Sequence, residues 1–284
     1  MISKEFKKFE LDYNNYFLKK IEKIKDKYPE ITNKSRRTGK ALKNICFFIW
    51  YYAQEEDNRT IDLLLKSSIL VSAQDNFYDN INISYKEKER FYYAFEEVIK
   101  GKKNKILNQN KQFKELISLW EEIRNEAKKS QNYLYKYWQE KSLDMTKSML
   151  LEDSMIKNNK ISFNEYMKIA VNTVGIIFVW SNYFLNKHML KEDLKKIDPI
   201  LIIGAEVSRL SNDLASYRRI KKELNAVTLI DKKYPKNYIV NLVKRLDNKF
   251  NRDLLKIKID ISVKKTIKSS VDFLVNFYKN SDFS

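Results

Sequence analysis

Asp75 and Asp79, in the stretch SAQDNFYDN (72–80), are four residues apart. On a helix that spacing puts both carboxylates on one face, about 6 Å apart. Such a pair suits Mg²⁺, a hard cation that keeps most of its water and completes its shell from a diphosphate. It is equally the pattern of a solvated helix end. A second polar cluster lies in RLSNDLASYRRIKKE (209–223), where Asn212 and Ser216 are one turn apart beside Asp213. Neutral amide and hydroxyl oxygens next to an acid suit the same cation, with Asp213 a further candidate ligand. Arg209, three residues before Asn212 and on the same face, suits a diphosphate oxygen. The acidic pair follows an apolar helix face, and the second cluster follows the apolar run PILIIGAEV. Facing each other across a pocket, the two clusters would clamp a metal–diphosphate complex from both sides.

The elements that must position these groups are helices. With only 4 Gly and 3 Pro in 284 residues, tight turns and glycine-rich phosphate loops are scarce, and the expected fold class is all-α. Apolar residues recur at helical spacing almost throughout. They outline helices at about 6–28, 37–53, 59–80, 86–99, 110–128 and 131–157. Ser162 and Glu165 form a capping box that opens a further helix from 163. Gly175, inside the apolar run VNTVGIIFVW, predicts a kink or a close helix approach. Pro199 reads as the start of the helix that carries the second cluster, and the last helices are expected at about 235–250 and 256–279. No linker, repeat or low-complexity segment interrupts the pattern, so residues 1–284 read as one domain, with residues 1–34 an N-terminal helical cover.

Composition excludes several chemistries. The single Cys46 rules out an intramolecular disulfide and cysteine metal clusters, and the single His188 argues against histidine sites and a Ser-His-Asp triad. No signal peptide is apparent, and the longest apolar stretch, ICFFIWYYA, is too short to span a bilayer; a cytoplasmic protein is the expectation. The formal charge of +18 would suit a phosphate-rich partner. The lysines, however, are spread over every segment among Glu and Asp, which reads as solvated helix surface rather than a nucleic-acid face.

The motifs DNFYD (75–79) and NDLAS (212–216) resemble the two metal motifs of class I terpene synthases, DDxxD and NDxxSxxxE, with Asn76 in place of the second Asp. NICFFIWYYA, YWQEKSLDM, SFNEYMKIAVNTVG, LNAVTL and the ending FYKNSDF extend the resemblance over roughly residues 35–284, most nearly to the kaurene-synthase-like diterpene synthases. The resemblance implies a helical bundle around a central apolar active-site cavity. It also implies three Mg²⁺ ions (with Mn²⁺ as a substitute), held by Asp75, Asp79, Asn212 and Ser216, and diphosphate binding by Arg209, Arg219 and Lys222. Ionisation of a prenyl diphosphate would then leave an allylic cation guided by the pocket, for which Phe48, Trp50, Val71, Phe77, Gly175, Ile176, Trp180 and Tyr278 are the candidates. No DxDD motif of protonation-initiated cyclisation is present. The implied substrate is therefore geranylgeranyl diphosphate, or copalyl diphosphate made by a separate class II diterpene cyclase.

One ligand departs from the pattern, because Ile220 stands where the family has Glu. Glu223 returns to within about 20° of the Asn212 direction but about 4.5 Å farther along the axis, so direct ligation would be strained. Asp213 could take a larger share instead. Two alternatives stay open beside the diterpene synthase: a sesquiterpene synthase using farnesyl diphosphate, and a non-catalytic basic helical protein with a degraded metal site. Neither nucleic acid nor a membrane is an expected partner, and monomer and homodimer are not distinguished.

Overall fold

The computed structural model describes residues 2–33, 36–102, 110–158, 161–217, 224–230 and 235–280. The N-terminal segment comprises α1 (Ile2–Asp12), a π-helical turn (Tyr13–Phe17) and α2 (Leu18–Lys27). There follow α3 (Arg37–Tyr52), α4 (Asn58–Tyr78), α5 (Tyr85–Ile99), α6 (Lys111–Ala127) and α7 (Asn132–Asn158). The chain continues through α8 (Phe163–Thr173), α9 (Ile176–Phe184), α10 (Lys191–Ser216), α11 (Pro235–Lys256) and α12 (Ile261–Asn280). No strand occurs among the described residues, and none of their helices is long and apolar enough to cross a membrane.

Local chemistry sets several of the helix starts. Asp57, Ser84, Asn110 and Ser162 each accept an N–H of the first turn that follows, and Ser84–Glu87 and Ser162–Glu165 are reciprocal capping boxes. Two boundaries differ from the sequence expectation. Pro199 lies inside α10, which begins eight residues earlier at Lys191. There the Asp193 carboxylate accepts the Leu190 N–H at 3.4 Å, and Leu194 and Ile197 are buried. Burial of that face keeps the turn before the proline helical despite the lost hydrogen bond. α11 likewise runs on to Lys256, because Leu254 still packs into the core.

Indole–polar pairs tie the layers together. Trp120 on α6 donates to Gln74 on α4, Trp138 on α7 to Asn182 on α9, and Trp180 on α9 to Ser270 on α12, all at 2.9–3.0 Å. α4 and α9 run antiparallel: Thr60 meets Asn186 at one end, and Val71 abuts Gly175 at the other. The kink expected at Gly175 is a full break between α8 and α9, with Gly175 at φ +73°. A Cβ there would lie 2.4 Å from Val71 Cγ1, so both backbone angle and space require glycine.

The N-terminal segment packs on α3 through Phe9 against Phe47, and Trp50 Nε1 donates to Asp12 at 2.8 Å. Its exit is held by Glu115 of α6, whose carboxylate accepts the N–H groups of Glu30 and Ile31 at 2.9–3.1 Å. α3 then starts against that turn, and a Cβ on Gly39 would fall 2.0 Å from the Asn33 carbonyl oxygen. Gly39→Ala is therefore expected to force the turn off α3 at a cost of about 1–3 kcal/mol. Urea denaturation measures this, and an unchanged midpoint would refute the close approach.

Candidate active site

α3, α4, α5, α7, α8, α9, α10 and α12 all contribute to the lining of a cavity of about 480 Å³. Its walls follow the helical period. α4 contributes Ser68, Val71, Ser72, Asp75 and Asp79; α3 contributes Arg37, Ala41, Ile45 and Phe48. Offsets of three, four, seven and eleven residues keep one face turned inward over about 16 Å of helix. The acidic end of α4 lies at the mouth, and the apolar side chains of α3, α9 and α12 line the interior.

Asp75 and Asp79 come together as their spacing requires. A cation already lies between them: Arg37 Nη1 is 3.2 Å from Asp75 Oδ2 and 3.0 Å from Asp79 Oδ2. Arg37 is the first residue of α3 and was not singled out from sequence. The only cue was a basic pair, RR, ahead of an apolar helix. Lys88, also unanticipated, is 2% exposed; it pairs with Asp153 at 2.6 Å and donates to the Tyr78 carbonyl. It thereby satisfies a terminal carbonyl of α4 beside Asp79.

α10 presents the opposing wall. Asn212 Nδ2 donates to Tyr278 Oη at 3.3 Å, and Ser216 Oγ accepts from Asn225 Nδ2 at 3.3 Å. Arg209 and Asp213 form the centre of a buried network. Arg209 Nε donates to Tyr166 Oη at 2.8 Å and faces Asp213 Oδ1 at 3.1 Å. Its Nη1 donates to Thr173 at 3.0 Å and its Nη2 to Glu152 at 2.8 Å. Asp213 Oδ2 accepts from Tyr166 Oη at 2.7 Å and from the Ala226 N–H at 3.0 Å. Burial works against the Arg209 charge, but the carboxylates of Asp213 and Glu152 outweigh it and hold the pKa above its ordinary value. Burial likewise pushes the Glu152 carboxyl up, with Arg209 opposing the shift.

Both Asp213 oxygens are thus engaged within the protein, where the carboxylate is a counter-ion to Arg209, while the residue also lines the cavity. Ile220, Glu223, Arg219 and Lys222 lie outside the described residues. Of the pocket candidates, Phe48, Val71, Gly175, Ile176 and Tyr278 line the cavity. Three others do not. Trp50 points to Asp12 and the N-terminal segment, and Phe77 packs on Phe91 of α5. Trp180 reaches Ser270 and lies 3.0 Å from where a Cβ on Gly204 would stand. Two residues along a helix turn the direction by about 200°, which separates Trp50 from Phe48 and Phe77 from Asp75. Glu152, Tyr166 and Thr173 are functional-site neighbours that carried no motif of their own.

The donor set fits divalent metal. Two carboxylates face an amide and a hydroxyl, all hard oxygens, and the Arg37 guanidinium shows that the carboxylate pair accommodates positive charge. Among the described residues no three Asp, Glu, His or Cys side chains form a ready-made metal cage, so further ligands would come from water and substrate. Because Arg37 competes for the same oxygens, Arg37→Met is expected to tighten Mn²⁺ binding several-fold without substrate. Electron paramagnetic resonance titration reads this directly, and unchanged affinity would contradict competition. Arg209→Met, which strands Asp213 and Glu152, is expected to destabilise the fold by about 3–5 kcal/mol in chemical denaturation; a loss under 1 kcal/mol would count against the network's structural role.

Similarity to known proteins follows the same lines. A profile of the terpene synthase family, metal binding domain, matches residues 33–247. Alpha-humulene synthase of Humulus lupulus is 25% identical over 259 residues, covering 83% of this chain and 46% of that protein. The chain thus spans about half the length of this curated relative. Abietadiene synthase from Abies grandis superposes with a TM-score of 0.75 at 17% identity, over 93% of this chain and 37% of that one. Linalool/nerolidol synthase from Streptomyces clavuligerus, solved with 2-fluorogeranyl diphosphate, superposes with a TM-score of 0.68 at 9% identity, over 86% and 90% of the respective chains. With two facing polar clusters at the mouth of an apolar helical cavity, and the family profile spanning both, this chain belongs to the terpene synthase family.

Proposed function

We propose that the protein is a Mg²⁺-dependent class I terpene synthase that ionises a C20 prenyl diphosphate and directs the resulting cation to a diterpene with release of diphosphate. The observation that carries the reading is the pairing of Asp75 and Asp79 with Asn212, Ser216 and Arg209 around the mouth of one apolar cavity. Asp75, Asp79, Asn212 and Ser216 would hold the metal, which when bound supplies Lewis-acid charge to the departing diphosphate. Arg209 adds fixed positive charge on that wall, and Arg37, released from the carboxylates, can follow the diphosphate as its negative charge develops. Inside, Ala41, Ile45, Phe48, Ile176, Val179 and Leu274 exclude water, and the rings of Phe48 and Tyr278 offer π faces to a cation.

The resemblance of the motifs to kaurene-synthase-like diterpene synthases supports a C20 substrate, either geranylgeranyl diphosphate or copalyl diphosphate from a separate class II cyclase. A second reading, a C15 substrate, is supported by the sequence similarity to alpha-humulene synthase. Incubation with geranylgeranyl, copalyl and farnesyl diphosphates, with gas chromatography of the products, distinguishes them. Mg²⁺-dependent diphosphate release is expected with a C20 substrate and none after chelation; inactivity with all three substrates would refute the proposal. Asp75→Ala is expected to drop turnover below detection while the helical circular dichroism spectrum persists; full activity would remove the metal assignment.

A further inference from the structure

The two carboxylates at the mouth stand where a helix tolerates them least. Asp75 lies in the last turn of α4, and Asp79 caps its C-terminus, with the Asp79 N–H bonded to the Asp75 carbonyl at 2.9 Å. That end of a helix carries unpaired carbonyl groups and the negative pole of the dipole. Two further negative charges are repelled by it and by each other. Helix ends fray, and fraying here would change the spacing of the pair.

Lys88 opposes this from α5. The Ser84–Glu87 capping box fixes the first turn of α5, and the Lys88 N–H bonds the Ser84 carbonyl at 3.0 Å. The Lys88 side chain is buried, and its ammonium donates to the Tyr78 carbonyl and to Asp153 Oδ1, the latter at 2.6 Å. Tyr78 is the last residue of α4, so the contact holds the peptide unit that joins α4 to Asp79. Lys88, Asp153 and Tyr78 line the cavity together with Asp75 and Asp79. A buried ion pair is in itself weak evidence for stability, because apolar residues of similar volume often serve as well. What an apolar pair would lack is the donor to the Tyr78 carbonyl.

We infer that Lys88 is a positioning residue for the metal. Through the Tyr78 carbonyl it holds the last turn of α4 in place, and so keeps Asp75 and Asp79 at the spacing from which they can share a divalent cation. The inference rests on the proposed terpene synthase reading. Lys88 itself touches neither metal nor substrate in this role. It acts as groups behind metal ligands do, fixing the direction of the ligands, and loss of such groups weakens metal binding by about tenfold or more.

The test is the Mn²⁺ affinity of Lys88→Met combined with Asp153→Asn, read by electron paramagnetic resonance titration without substrate. The double change removes one charge of each sign, so the net charge at the mouth is kept and a lost affinity reports geometry. Neither partner is left unpaired, so the urea midpoint is expected to stay near that of wild type, whereas Mn²⁺ binding is expected to weaken about tenfold. Lys88→Leu with Asp153→Leu repeats the test with a wholly apolar pair, and either variant that folds decides it. Wild-type Mn²⁺ affinity in a folded double variant would overturn the inference while leaving the synthase reading intact. A wild-type protein that neither binds Mn²⁺ nor releases diphosphate from any prenyl diphosphate would overturn the synthase reading and the inference with it.

Discussion

The wall that faces α4 depends on one buried cation. Arg209 reaches Glu152 on α7, Tyr166 and Thr173 on α8, and Asp213 on its own helix. Asp213 passes the contact on to the turn at Ala226. Removing a guanidinium from water is costly, and only two carboxylates with near-complete hydrogen bonding make it tolerable. The gain is geometric, because three helices and a loop are fixed relative to the face that carries Asn212 and Ser216. The diphosphate site proposed at this wall requires that fixity more than it requires net stability.

The cavity is divided along its length by the same helical period that builds its walls. On α4 the inward residues pass from Asp79 and Asp75 through Ser72 and Val71 to Ser68. On α3 they pass from Arg37 through Ala41 and Ile45 to Phe48. Charge is therefore kept at the mouth, where water and ions can screen it, and the interior suits a hydrocarbon and a transient cation. Gly175 permits a close approach, since its left-handed backbone both ends α8 and admits Val71. Arg37 joins the two regimes by bridging the acidic pair from the first turn of the helix that lines the apolar wall.

Much of the helix pattern was legible, since amphipathic spacing and capping residues are local properties. Asp75 with Asp79 and Asn212 with Ser216 were legible for the same reason. The misreadings share a cause. Trp50, Phe77 and Trp180 are aromatic and buried, but burial does not reveal which neighbour a face meets, and each turned to another helix. Pro199 read as a helix start, whereas packing of Leu194 and Ile197 held the turn before it helical. The network around Asp213 was not legible, because its partners, Tyr166 and the Ala226 N–H, are remote in sequence.

By itself, the sequence determined an all-α chain with two oxygen-rich clusters at helical spacing, because glycine scarcity, apolar periodicity and i, i+4 geometry act within one or two turns. Only the tertiary structure decided what those clusters meet. Arg37 enters the acidic pair across 38 residues, Glu152 reaches Arg209 across 57, and Ser68 is left without a partner in an apolar wall. These outcomes depend on how helix faces dock over long separations in the chain, and no local spacing encodes that.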